Sequence, residues 1–219
     1  MQTPRYFYFL YALLAAAVLA RAFGLDGYSS RLSVTERPDR VVVRWSGPVE
    51  PPMHEELTAA LARRRSDTRP IVLTIGSLGG SVAEGGRVIE LIRQMQRTHS
   101  VDTFVDSHCG SMCVPIFLTG TRRTAGPKAN FMFHEVRFRD RDEIRRKLRE
   151  IDLATNEARK IEQTRIAMAT DDLFRAYFEA PRVNRSWLTG MRKSITGTDV
   201  WLTAAELMEQ RSGVIDALE

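Results

Sequence analysis

Short apolar segments alternate with longer amphipathic ones through the middle of the chain. Runs of β-branched residues predict strands, and apolar residues three or four positions apart predict helices between them. Strands are predicted over residues 40–45, 70–75, 101–105 and 129–133, and helices over residues 53–64, 81–97 and 112–119. Because short connections join these elements in alternation, we expect an α/β protein with a largely parallel sheet. A ligand site would lie at the carboxyl ends of its strands.

A different pattern begins at residue 140 and continues to about residue 180. Charged residues of both signs cover most of this segment. A narrow apolar stripe follows it through Ile144, Leu148, Ile151, Ile161, Ile166 and Phe174. One long helix is therefore predicted, which either projects to pack against a partner or lies across its own domain.

The N-terminal segment is distinct from the rest of the chain. Residues 6–19 are almost entirely apolar and are followed by an A-x-A sequence at residues 20–22. With the positively charged start, this pattern predicts a signal peptide within residues 1–22. The alternative is a retained membrane anchor, although the apolar run is shorter than the about 20 residues that span a bilayer comfortably. We expect a periplasmic or other extracytoplasmic location, a linker over residues 23–38 and the α/β domain over residues 39–219.

Composition limits the classes of function. The chain has 219 residues and a net charge of +5, and its basic residues are scattered rather than clustered. Nucleic-acid binding is therefore not expected. The GSLGG loop at residues 76–80 lacks the Gly-Lys-Ser/Thr ending of a phosphate-binding P-loop, so no nucleotide is implied. We expect neither a cofactor nor a metal.

Ser111 lies between the only two cysteines, Cys109 and Cys113, in the sequence C-G-S-M-C. It falls between the predicted strand at residues 101–105 and the predicted helix that follows, where unpaired N–H groups of a helix start can stabilise an anion. The cysteines, four residues apart on a helical turn, are near enough for a disulfide, which an exported protein can form. Two small buried side chains are the alternative. Zinc is not expected, because only His108 lies nearby as a further ligand.

Four separate motifs of the chain resemble the ClpP (caseinolytic protease) family of serine peptidases, and more closely its exported ClpP-like members. The motifs are IGSLGGSVAEGGRVIELIRQM, HCGSMCVPIFLTGTRR, ANFMFHEV and DVWLTAAELMEQRSGVID, in the family's order from about residue 40 to the C-terminus. The resemblance implies the ClpP/crotonase fold, a repeated β-β-α spiral, with residues 140–180 as a projecting handle through which copies could associate. It also implies a peptide or protein substrate. Related crotonase-type folds share the glycine loop and act on acyl-CoA.

The resemblance assigns a role to individual residues. It implies Ser111 as the nucleophile, His134 as the base and Asp199 as the acid of a catalytic triad. The backbone N–H groups of Gly80 and Met112 match the family's oxyanion hole. These roles make chemical sense, because a serine is a poor nucleophile until an imidazole takes its proton and a carboxylate orients that imidazole.

Other residues compete for the same roles. His108 is an alternative base. Asp106, Asp171 and Asp172 are alternatives to Asp199. A serine–lysine hydrolase would instead use Lys128 or Lys193. A non-catalytic binding protein that uses the long charged helix is the alternative function.

Overall fold

The structure is a computed structural model that describes residues 31–64, 67–137, 156–178 and 182–219. The predicted signal peptide or anchor, the first half of the predicted linker (residues 23–30) and the first part of the predicted long helix lie outside the described residues. Residues 32–219 belong to one compact unit. Of the helices in the described ranges, none is both long and apolar enough to cross a membrane.

Strands and helices alternate along most of the described chain. The strands are β1 (Leu32–Glu36), β2 (Val41–Ser46), β3 (Ile71–Gly76), β4 (Val101–Val105), β5 (His108–Gly110), β6 (Arg123–Ala125), β7 (Asn130–Phe133), β8 (Val200–Thr203) and β9 (Ala217–Leu218). The helices are α1 (Met53–Ala62), α2 (Val82–Met95), α3 (Cys113–Leu118), α4 (Asn156–Leu173), α5 (Arg185–Ser194) and α6 (Ala204–Glu209). A π-helical turn (Phe174–Phe178) continues α4.

The larger sheet has the strand order β1-β2-β3-β4-β6-β9. All of its neighbouring strands are parallel except β1, which is antiparallel to β2. Val41 aligns with Ile71, and Ile71 aligns with Val101, so the three central strands begin at one level of the sheet. Their carboxyl ends consequently share one edge, where the glycine loop follows β3. The predicted α/β class with a largely parallel sheet is confirmed.

The first strand lies where the sequence pattern predicts a linker. β1 pairs along its whole length with β2, although residues 23–38 were expected to be irregular. Its apolar residues Leu32 and Val34 alternate with polar ones and pack against the core. Hydrogen bonds to β2 pair the backbone groups on one side of this segment. An alternation of apolar and polar residues over only five positions is therefore enough to form an edge strand.

A second, three-stranded sheet with the order β5-β7-β8 carries the turn at Ser111. An isolated bridge between Ser77 and Cys109 links this sheet to the segment that follows β3. Ser111 therefore follows β5 directly, and not β4 as expected. A strand of three residues has no detectable hydrophobic period, which is why β5 is absent from the predicted elements.

The described part of the predicted long helix is α4 with its π-helical turn. Phe174 and Phe178 in that turn are buried against the core, and Thr170 Oγ1 accepts a hydrogen bond from the Val136 N–H. Further towards its N-terminus, the Ile161 and Met168 side chains are 70% and 62% exposed. The C-terminal end of this helix is therefore fixed to its own domain, while the preceding turns carry apolar side chains in solvent.

Candidate active site

The Ser111 turn connects β5 to α3 in a left-handed backbone conformation. Ser111 has φ 51°, and among the described non-glycine residues only Arg211 also has a positive φ. This conformation costs about 1–2 kcal/mol for a residue with a Cβ, so surrounding contacts must hold it. Ser111 N–H donates to the Met132 carbonyl at 2.9 Å, and its own carbonyl accepts from Val114 N–H at 3.0 Å. The turn leaves the serine side chain partly exposed.

Two backbone N–H groups beside this turn have no hydrogen-bond partner in the part of the chain that the structure describes. Met112 is the N-cap residue of α3, and no side chain caps that helix. Within the described residues, neither Met112 N–H nor Gly80 N–H donates a hydrogen bond to the protein. Unpaired N–H groups at a helix start favour negative charge. Both groups are therefore available to an anionic ligand.

The glycine loop packs directly against the Ser111 turn. A Cβ at Gly79, where φ is +96°, would lie 2.5 Å from the Ser111 Cβ. A Cβ at Gly80 would lie 2.3 Å from the Val49 carbonyl oxygen. Buried Ser77 holds the loop, because its Oγ accepts from Gly79 N–H at 3.1 Å and its carbonyl accepts from Gly110 N–H at 2.8 Å. Ser77 was not among the predicted site residues, although a serine two residues before a glycine is a turn signal.

A cleft of about 320 Å³ joins these groups. Its lining includes Ser111, His134, Gly80 and Met112. The rest of its wall is mainly apolar, formed by Leu78, Val82, Met132, Phe133, Val136, Leu173, Phe174 and Phe178. The structure thus brings four of the five residues with predicted catalytic or oxyanion-hole roles into one cleft that has room for an apolar side chain.

His134 directly follows β7 and lines the cleft. Its Nδ1–H donates to the Glu135 backbone carbonyl, which leaves Nε2 as the hydrogen-bond acceptor of the ring. Burial lowers the pKa of His134 below its ordinary value of 6.5, and the charge of Arg137 lowers it further. The Glu135 carbonyl and Asp199 act on this pKa in the opposite direction. The net effect favours neutral imidazole at neutral pH.

Asp199 lies outside the set of cleft-lining residues and forms an ion pair with Arg137, which does line the cleft. It is near enough to His134 to raise that residue's pKa. Among the described residues, Ser111 Oγ makes no hydrogen bond with His134, and His134 makes none with Asp199. Arg137 was not predicted as a site residue, because it stands in no motif. Only the tertiary structure brings it to Asp199.

Known proteins resemble both the sequence and the fold of this chain. A sequence model described as Clp protease matches residues 38–218. The chain belongs to the Clp protease family. A solved structure, a point mutant of ClpP1 from Listeria monocytogenes, is similar with a TM-score of 0.61 and 20% identity, over 81% of this chain and 90% of that one. A search of curated proteins finds no match.

Family membership and the structural similarity confirm the predicted ClpP/crotonase-like fold. Family membership also supports serine peptidase chemistry in general, and with it a peptide or protein substrate. The handle predicted for this Clp protease family member would include α4. The assignment of individual catalytic residues depends on the geometry described above.

The alternative histidine and lysines lie outside the cleft of this Clp protease family member. His108 belongs to β5, where its carbonyl accepts a hydrogen bond from Ser77 N–H at 3.1 Å. Lys128 and Lys193 are exposed to solvent. None of the three lines the cleft within the described chain.

The alternative carboxylates have other partners. Arg44 donates to Asp106 at 2.6 Å, and Arg175 donates to Asp172 at 2.9 Å. Asp171 forms an ion pair with Arg192. Asp199 differs from all three, because it is the carboxylate whose charge raises the pKa of His134.

Cys109 and Cys113 are joined in a disulfide, and both residues are fully buried. No described cysteine is free. In the described ranges, no group of three or more His, Cys, Asp or Glu side chains is arranged to hold a metal ion. Both sulfurs are therefore bonded to each other on either side of Ser111.

Proposed function

We propose that this Clp protease family member is a serine peptidase whose nucleophile is Ser111. The observation that carries the proposal is the pair of unpaired N–H groups, from Gly80 and Met112, beside Ser111 in the cleft that contains His134. Unpaired backbone donors next to a serine suit the negative oxygen of a tetrahedral acyl intermediate. Losing one such donor costs about 10²–10³-fold in kcat.

In the proposed reaction, His134 Nε2 takes the proton of Ser111 Oγ as the oxygen attacks a peptide carbonyl carbon. The carbonyl oxygen becomes negative and receives hydrogen bonds from Gly80 and Met112. The C–N bond then breaks, and the imidazolium gives its proton to the leaving amine. A water molecule, deprotonated by His134, hydrolyses the acyl-enzyme and restores the serine.

Asp199 is proposed as the acid that stabilises the imidazolium. In the structure its carboxylate pairs with Arg137, and the Glu135 carbonyl accepts the Nδ1–H of His134. Catalysis by a complete triad would require Asp199 to leave Arg137 and accept that Nδ1–H. The Glu135 carbonyl already selects the His134 tautomer whose Nε2 carries no proton. The role left for Asp199 is to stabilise the positive charge of the imidazolium.

The proposed substrate is a peptide with a large apolar side chain next to the bond that is cleaved. The aromatic and aliphatic wall of the cleft supports this choice. Phe174 and Phe178, which stack with ring centroids 4.4 Å apart, both belong to that wall. Association of copies through the helix predicted over residues 140–180 is a further proposal, supported by the exposed Ile161 and Met168 on α4.

We also propose that the protein acts outside the cytoplasm, either after cleavage of its signal peptide or attached to a membrane through residues 6–22. The apolar run at the N-terminus supports export. A disulfide between the only two cysteines is consistent with an oxidising compartment. Cell fractionation followed by the mass of the mature protein tests this, and a protein found only in the cytoplasm would refute it.

The alternative is a non-catalytic binding protein that retains the fold. One observation favours it, the ion pair of Arg137 with Asp199, because it leaves the base without a carboxylate partner. Such a protein would bind peptides in the apolar cleft or partners along the charged helix. It would not react covalently at Ser111.

Labelling with a fluorophosphonate probe distinguishes the two functions, because the probe reacts only with an activated serine. We expect stoichiometric labelling at Ser111, loss of labelling in Ser111→Ala and a loss of at least about 100-fold in His134→Ala. Ser194→Ala removes a serine from the surface of α5 and is the matched control. Absence of labelling in a folded protein, or equal labelling of Ser111→Ala, would refute the peptidase.

A further inference from the structure

The disulfide closes a small ring around the reactive part of the turn. Between Cys109 and Cys113 lie only Gly110, Ser111 and Met112. Both the proposed nucleophile and one proposed oxyanion donor are therefore inside the ring. Because the two cysteines are fully buried, the bond does not contribute a surface to the cleft. Its effect must act through the backbone that it constrains.

The two ends of the ring hold the two elements that carry the oxyanion donors. Cys109 forms a bridge with Ser77, and the neighbouring Gly110 N–H donates to the Ser77 carbonyl at 2.8 Å. Ser77 in turn holds the glycine loop that contains Gly80. At the other end, Cys113 is the first residue of α3, directly after Met112. The bond thus ties the strand that supports one donor to the helix start that supplies the other.

The start of helix α3 is held differently from the starts of α2, α5 and α6. Helices α2, α5 and α6 are each capped by a side chain that accepts hydrogen bonds from backbone N–H groups, and these side chains belong to Ser81, Asn184 and Thr203 respectively. Within the described residues no side chain caps α3, and the N-cap residue of α1 likewise provides no cap. A capping oxygen there would occupy N–H groups at the helix start, close to where an oxyanion would bind. A covalent bond can hold this start and leave the Met112 N–H free.

From these contacts we propose that Cys109 and Cys113 are positioning residues, and that their disulfide keeps Ser111 left-handed and both oxyanion donors convergent. The inference rests on the proposed function of Ser111. Reduction by a dithiol would transfer two electrons and two protons to the pair, giving two thiols and the cyclic disulfide of the reductant. The released turn would then relax from its left-handed conformation, and peptidase activity would fall.

The test compares oxidised and reduced forms of the full chain. Both samples are unfolded in urea and refolded identically, one with dithiothreitol throughout, and their thiols are counted. We expect the reduced form to react with the fluorophosphonate about 10–100-fold more slowly, because a displacement of about 1 Å in a catalytic group can cost that much. With a peptide substrate, the loss should be in kcat, while KM stays within about threefold.

Two controls make the comparison specific. The double variant Cys109→Ala/Cys113→Ala should be as slow as the reduced protein and should not respond to dithiothreitol. Reoxidation of the reduced wild type should restore the rate. Equal rates for oxidised and reduced wild type would overturn the inference. Loss of far-UV circular dichroism together with activity would also overturn it, because the bond would then serve the fold rather than the turn.

Hydrogen exchange separates this inference from the proposed function. Reduction should speed amide exchange in residues 110–114 and leave β2 and β3 unchanged. If the oxidised protein is not labelled at Ser111, the proposed peptidase function is refuted. Amide exchange in residues 110–114 that does not change on reduction would independently refute the positioning role. If labelling succeeds and exchange is unchanged, the peptidase stands and only the inference fails.

Discussion

Gly79→Ala is the sharpest test of the contact between the glycine loop and the nucleophile turn. The added Cβ would lie 2.5 Å from the Ser111 Cβ, 2.7 Å from the Gly110 carbonyl oxygen and 3.0 Å from the Met112 nitrogen. All three atoms belong to the turn that carries the proposed nucleophile and one proposed donor. The substitution therefore acts on the site without removing any functional group from it.

The size of the effect follows from those distances. Non-bonded carbon atoms pack at about 3.5–4.0 Å, so the loop and the turn must separate by roughly 1 Å or more. A displacement of that size costs about 10²-fold in rate, similar to the loss of one oxyanion donor. The left-handed backbone at Gly79 adds about 1–2 kcal/mol of destabilisation. For a domain of this size, each 1 kcal/mol lowers Tm by about 2–4 °C.

The assay measures kcat and KM on an apolar peptide substrate, with Tm recorded for each variant. We expect kcat to fall about 100-fold in Gly79→Ala. Gly213→Ala is the control, because Gly213 also has a positive φ and its added Cβ would lie 1.9 Å from the Arg182 carbonyl oxygen. That clash is away from the cleft, so it should lower Tm while kcat stays within about twofold. Near-normal kcat in folded Gly79→Ala would refute the proposed packing of the loop against Ser111.

Three further predictions concern charges. Since burial lowers the pKa of His134 and a base must be neutral, the acid limb of kcat/KM should have its midpoint below pH 6.5, and a midpoint at or above 6.5 would contradict this. Arg137→Gln removes a charge that lowers this pKa and frees Asp199, so the midpoint should rise and kcat should increase, whereas the surface control Arg175→Gln should change neither. Asp216→Asn should lower the free energy of unfolding in urea by about 3 kcal/mol, because it leaves Arg123, which is 1% exposed, without its carboxylate. The exposed pair of Asp172 provides the comparison, since Asp172→Asn should cost less than about 1 kcal/mol.

The apolar wall of the cleft shows which features local sequence patterns can predict and which they cannot. The sequence predicts β7 and places His134 at its end, because a short apolar run followed by a polar residue is visible without any tertiary information. It does not indicate that Phe174 and Phe178, in the π-helical turn that continues α4, line the cleft beside Phe133. The position of these two rings in the cleft depends on where the end of α4 packs against the rest of the domain. The apolar lining of the cleft was therefore found only in the structure.

By itself, the sequence determined the α/β class, the three central strands, the glycine loop and the order of the motifs that identify the family. These features depend on hydrophobic periods and turn residues, which act over a few positions. Only the tertiary structure decided that β5 precedes Ser111 and that Arg137 forms an ion pair with Asp199. It also decided that the N–H groups of Gly80 and Met112 have no partner among the described residues. Each of these depends on segments that are distant in sequence and meet by packing. Local sequence patterns cannot specify such tertiary contacts. One ion pair or one displaced loop changes which side chains are in contact, while the order of residues along the chain stays the same.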